Sequence, residues 1–229
     1  MIHSPLSSSP LFFLGPVPIG AQVVTTWAII VLLFLASRWI TPRLTLKPGR
    51  TQALAELLVT TLQGQIRDTL SADPQPYLPL IGTLFIYILC ANLSSLVPGN
   101  QAPTAHIETD AALALIVFCA VIVFGIRSRG LAGYLKSFAD PSWVMLPLNL
   151  VETLTRTLSL MVRLFGNMMS GAFVIGIVLS LAGLFVPIPF MALDVLVGII
   201  QAYIFSVLAL VFIGAAIGEE TIHPRQENA

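Results

Sequence analysis

Charge is what this chain has least of. Only 10% of its 229 residues are Asp, Glu, Lys or Arg, against 56% hydrophobic residues, and the mean hydropathy is +0.91. A soluble domain needs far more charged surface than that, so the composition reads as an integral membrane protein. Neither sign is in excess, with eleven Lys and Arg against eleven Asp and Glu. Basic residues never interleave with aromatics as a single-strand binding groove requires, which excludes nucleic acid as a partner. Cysteine is scarce too. Cys90 and Cys119 lie inside the apolar runs FIYILCANL and LIVFCAVIV, where a thiol packs as a small hydrophobe, and their spacing suits neither a metal nor a redox pair. No GxxxxGK(S/T) phosphate loop occurs, so nucleotide chemistry is not expected of this chain. We expect no cofactor and no metal. No internal repeat or low-complexity tract is found.

The apolar sequence is divided by proline and glycine. Ala21–Ile40 (AQVVTTWAIIVLLFLASRWI) has an apolar stretch of roughly 26 Å as a helix, near the hydrocarbon thickness, and is a spanning candidate. The first twenty residues have no Lys or Arg and no small-residue cleavage site. They do not read as a cleaved signal, so this first segment is expected to stay. Residues 41–76 carry Arg43, Lys47, Arg50, Glu56, Arg67, Asp68 and Asp73, with Leu54, Leu57, Leu58, Thr61 and Leu62 at helical spacing. This pattern predicts an amphipathic helix at the cytoplasmic interface that does not cross. Residues 77–97 and 111–126 are two further spans, joined by an outer loop, 98–110, with acids but no Lys or Arg. Arg127, Arg129 and Lys136 follow the third span. This alternation of basic residues places the N-terminus outside.

From Ser142 to Gly218 the apolar character is interrupted by only four charges, Glu152, Arg156, Arg163 and Asp194. Two long helices, 142–186 and 188–218, are expected around ValProIlePro (Val186–Pro189). Each reaches roughly 45 Å or more at about 1.5 Å per residue and must tilt strongly or bend. The polar GEETIHPRQENA tail is expected to be cytoplasmic. The fold class is therefore an all-α polytopic membrane protein in a single domain: three spans, one interfacial helix and a tilted helical hairpin.

Glu152, Arg156, Ser159, Arg163, Asn167 and Ser170 recur at steps of three and four, so a helix carries them on one face. Lipid contact does not repay the roughly 2.5–3.5 kcal/mol of placing an arginine at mid-membrane, so Arg163 needs a cavity or a partner. Glu152 and Arg156 stand in the acid-first i, i+4 order and can form a structural pair. Arg163 has no acid near it on its own helix. Its counterion is either Asp194, as a fixed intramembrane pair, or a carboxylate of another polypeptide, which an arginine can hold bidentately while staying protonated. Gly198 and Gln201 share a helix face with Asp194. Gly166, Ser170, Gly171 and Gly176 keep the arginine helix thin enough for close helix approach.

LSLMVRLFGNMMSG (Leu158–Gly171) closely resembles the signature of subunit a of the F-type ATP synthase. The resemblance extends to YLPLIGTLFIYILCANLSSLVPG (Tyr77–Gly99), PTAHIETDAALALIVF (Pro103–Phe118) and IIQAYIFSVL (Ile199–Leu208), in family order along nearly all of the chain. It implies a non-catalytic stator subunit working beside a rotating c-ring whose subunits carry an essential carboxylate. Peripheral-stalk b subunits and the F1 sector are further implied partners. By the same resemblance, Arg163 faces the ring carboxylates and blocks leakage between two offset half-channels. Asn167, Asp194 and Gln201 match the outer half-channel, and Glu152, Arg156 and Ser159 border the inner one. Many relatives have a Glu/His pair at the positions of Ala172 and Asp194; here Ala172 is apolar, which leaves Asp194 as the principal charge of a hydrated outer path open to H⁺ or Na⁺. An acid common in the family near the start of this helix falls at Asn149, with Glu152 one turn later. The implied location is a bacterial plasma membrane, since no Arg- and Ser-rich transit peptide is found. The competing functions are a self-contained ion channel or secondary transporter, which paired half-repeats would have favoured, and a scaffold whose buried charges only fix assembly.

Overall fold

The computed structural model describes residues 10–14, 17–41, 49–70, 73–96, 102–139, 145–183 and 185–218. It is an all-α bundle preceded by a short antiparallel ribbon, β1 (Pro10–Leu14) on β2 (Val17–Gly20). Six α-helices follow: α1 (Ala21–Ile40), α2 (Arg50–Leu70), α3 (Leu78–Leu93), α4 (Ile107–Ala139), α5 (Met145–Ala182) and α6 (Ile188–Ile217). Five of them, all but α2, are long and apolar enough to cross a membrane. Arg43, Lys47, most of the outer loop's first half and the tail beyond Gly218 lie outside the described residues.

Helix α6 is the centre of the bundle. Its face Gly198, Ala202, Phe205, Ser206, Ala209, Leu210 and Ile213 is buried. Against it pack Ile81, Leu84 and Ile88 of α3, Val117 and Val121 of α4, Leu160 and Leu164 of α5, and Ile66 of α2. In lipid there is little solvent drive for two apolar helices to meet. Association then rests on close contact, and the spacing of Gly198, Ala202, Ser206 and Ala209 supplies a shallow seam for it. Two prolines shape the start of α6: Pro187 caps it and Pro189 sits in its first turn, where a missing N–H costs nothing.

Helix α1 is apolar all round and stands at the edge, with Trp27, Val31, Leu32, Phe34 and Leu35 exposed, as a lipid-bathed helix should be. Helix α2 docks by Leu62 and Ile66, while Leu54 and Leu57 of the expected apolar stripe stay exposed. In its second half the Tyr203 hydroxyl of α6 donates to Gln65 Oε1 at 2.8 Å. Cys90 is half-buried, in keeping with packing, whereas Cys119 is exposed.

Helix α4 departs from the expected 111–126 in both directions. It starts at Ile107 and so takes in Asp110, which the sequence placed in a loop. It also continues beyond Ile126 to Ala139, breaking at Gly130, whose φ of 73° belongs to the left-handed region that glycine adopts without strain. The basic segment after the third span is thus helical on both sides of a sharp turn, and the turn swings Tyr134 back against Gly125.

Candidate functional site

Helix α5, with 38 residues, is roughly 57 Å long at about 1.5 Å per residue. Its buried ridge is Leu160, Leu164 and Met168. The polar residues run alongside that ridge on the open flank. Thr153, Thr155 and Thr157 donate their hydroxyls to carbonyls one turn back on the same helix, which satisfies them internally. What remains polar on the flank is the set singled out in the sequence.

Near the start of α5, Arg156 and Glu152 form a salt bridge one turn apart, both partly exposed. The Arg156 guanidinium also lies 5.5 Å from the centre of the Phe212 ring of α6, a cation–π arrangement that holds it against the next helix. These residues line a cleft of ≈ 300 Å³ between the ends of α4 and α6 and the start of α5, with Arg129, Tyr134 and Asn149 in its wall. Ser159 lies in an adjoining cleft that shares Glu152, Arg156 and Phe212. Hydroxyl, amide and charged groups line the two clefts.

Arg163 is exposed on the flank of α5. Among the described residues no carboxylate lies within ion-pair distance of it. Asp194 is not its partner. The Asp194 carboxylate rests instead against Gly171, occupying the space any side chain at 171 would need. A side chain at this position would have to turn the Asp194 carboxylate aside. Above Arg163, Asn167 donates from Nδ2 to Gln201 Oε1 at 2.8 Å, while Ser170 turns back to the Asn167 carbonyl at 3.0 Å. Gln201 is 2% exposed and its Nε2 has no acceptor among the described residues. A buried amide donor left open is costly, and such groups mark places where water or an ion is handled.

Asn92 on α3 was legible only as part of a motif, and its role is one of geometry. Its Nδ2 donates to the Gly198 carbonyl at 2.8 Å and its Oδ1 accepts from the Thr104 hydroxyl at 2.7 Å. Thr104 belongs to the 3-10 turn Pro103–Ala105 that precedes α4. His106, just beyond it, is buried, and that burial lowers its pKa, with Glu108 opposing. Its imidazole is therefore biased towards the neutral form. Two hydrogen-bonded sets thus lie in this part of the bundle, Thr104 with Asn92 and the Gly198 carbonyl in one, and Asn167 with Gln201 in the other. The site residues expected from sequence fall into two groups: Glu152, Arg156 and Ser159 at the inner clefts, and Asn167, Asp194 and Gln201 at the α5–α6 contact. Arg163 lies between them. Among the described residues no group of three or more His, Cys, Asp or Glu is placed to hold a metal ion.

A family model described as ATP synthase A chain matches residues 23–214. The chain is 60% identical over 218 residues to ATP synthase subunit a 2 of Bradyrhizobium sp. strain BTAi1, covering 95% of this chain and 98% of that one. It is 47% identical to ATP synthase subunit a of Albidiferax ferrireducens over 88% of each chain. It is 45% identical to ATP synthase subunit a 2 of a Picosynechococcus species over 87% of each. Spanning helices, an exposed arginine on the longest of them and near full-length likeness agree: the chain belongs to the ATP synthase A chain family.

Proposed function

We propose that this chain is the ion-translocating stator subunit of a rotary F-type ATP synthase in a bacterial inner membrane, with the N-terminus outside and the C-terminus in the cytoplasm. It is non-catalytic by itself; nucleotide chemistry belongs to partners in the F1 sector. The observation that carries the reading is Arg163, a guanidinium exposed on a long apolar helix with no carboxylate within ion-pair distance among the described residues. Such a charge needs a counterion from outside the chain. A ring of helices each bearing one carboxylate provides it repeatedly, and peripheral-stalk b subunits hold the chain still while the ring turns.

The physics of coupling follows from cost. A bare carboxylate is expensive beside lipid and tolerable beside the guanidinium, because an opposite charge within a few ångströms favours its ionised form. A ring carboxylate therefore releases its ion on meeting Arg163 and must be reloaded before it re-enters lipid. On this reading Glu152, Arg156 and Ser159 border the inner path, and Asn167, Gln201 and Asp194 the outer one. An ion crosses only by riding the ring, and the cation held fixed at Arg163 repels any that attempts the direct route.

The test is ATP-driven uptake in inverted vesicles carrying the whole complex, recording H⁺ and ²²Na⁺ in parallel for wild type and Arg163→Ala. Uptake abolished in an assembled mutant complex is the expected result, and the wild-type trace names the ion. Unchanged uptake makes Arg163 a structural charge and ends the proposal. A channel or secondary transporter would instead move ions when the chain is reconstituted alone.

A further inference from the structure

The reading above employs Glu152 and Asp194 and leaves a third membrane-level carboxylate without a task. Asp110 lies in the first turn of α4 with its side chain fully buried. Neither carboxylate oxygen has a hydrogen-bond partner among the described residues. It is within electrostatic reach of Tyr87 on α3. The Tyr87 hydroxyl donates to Thr26 of α1 at 3.3 Å, and Thr26 donates to the Gln22 carbonyl at 2.9 Å. The polar groups named here on α1 and α3 are thus neutral. The other titratable groups at this end of α4 are His106, whose imidazole burial holds neutral, and Glu108, an acid.

A carboxylate removed from water with no donor and no basic neighbour does not remain ionised unless something neutralises it. A single carboxylate suits a proton or a hard monovalent cation rather than a soft or divalent metal. The 3-10 turn just before Asp110 carries Thr104, which joins Asn92 and through it the Gly198 carbonyl, between Asp194 and Gln201 on α6. We propose that Asp110 is an ion-holding site at the outer end of the bundle, which takes a proton or a sodium ion from the outer solution and passes it towards Asp194 and Gln201. This rests on the ion-translocating reading of the chain and adds a station to its outer path.

The experiment uses the whole complex in liposomes, with ATP synthesis driven by an imposed gradient of the transported ion. Asp110→Asn keeps the shape and removes the ability to hold an ion. The outer ion concentration giving half-maximal synthesis is expected to rise by about tenfold or more, the equivalent of one lost ion interaction, while Asp110→Glu stays within about threefold of wild type. Half-saturation unchanged in Asp110→Asn overturns the proposal. If that variant does not assemble, labelling of Asp110 by a hydrophobic carbodiimide in the wild-type complex decides instead. Protection by Na⁺ identifies a sodium site, and labelling that falls with rising pH, indifferent to Na⁺, identifies a proton site. Labelling that is absent, or the same in every condition, overturns it. Arg163→Ala run alongside separates the two ideas: synthesis retained there overturns the stator reading, whatever Asp110 does.

Discussion

The two ends of the α5–α6 hairpin treat polarity in opposite ways. At the inner end the polar groups are charged, exposed and paired with near neighbours, Glu152 with Arg156 one turn on, beside a cleft of ≈ 300 Å³. At the outer end they are mostly neutral amides and hydroxyls, buried, and joined across distant segments: Asn167 with Gln201, Asn92 with Gly198 and Thr104. On the proposed reading the open cleft serves by admitting water, so its residues can change with little consequence. A dehydrated path depends on each group having its partner, because an unmatched group there keeps the full desolvation cost. Tolerance to substitution is therefore expected to differ sharply between the ends.

The strongest way to break this contrast is at Gly171, where the Asp194 carboxylate fills the place of a side chain. Gly171→Leu must displace Asp194 or part the two helices, an overpacking cost of about 1–3 kcal/mol or more. If the whole of it falls on the outer path, ion uptake drops about ten- to hundredfold; uptake within twofold of wild type would show that Asp194 need not sit there. Next is Asn92→Ala, which strips the Thr104 hydroxyl and the Gly198 carbonyl of a partner at once. A loss of about 1–2 kcal/mol is expected in denaturant unfolding of the detergent-solubilised chain. The smallest effect belongs to the inner end. Glu152→Gln removes one partner of an exposed pair, which is worth under about 1 kcal/mol, so stability should barely move and uptake should fall no more than a few-fold. A large effect there would mean that the inner cleft is as demanding as the outer path.

Much of the fold could be read from the residues alone. Runs of apolar sequence long enough to span, broken by Pro and Gly, announce spanning helices through length and composition. The Glu152–Arg156 pair is equally local, since spacing of four on a helix sets the two side chains side by side. What escaped was non-local or conformational. Nothing in the sequence says that Asn92 meets Gly198, 106 positions away. Asp110 looked like a loop acid because a charge next to Glu108 and a run of turn formers reads as solvated, and only packing by the neighbouring helices buries it. The continuation of α4 past Ile126 was hidden by basic residues that suggested a loop, whereas a helix tolerates them once it leaves lipid. The Asp194–Arg163 pairing that the sequence left open is replaced by contact with Gly171, a choice made by the closeness of two backbones.

Helix α4, after its break at Gly130, leaves Arg129 beside the end of α6, where its Nε donates to the Ile217 carbonyl at 2.7 Å and the guanidinium covers Gly218. The end of one helix is thereby tethered to the bend of another by a side chain of fixed length. Thinner or thicker lipid, which makes spanning helices lean, is then expected to lean α4 and α6 together. The spacing of these two helix ends is then set by a side chain of the protein and not by the bilayer.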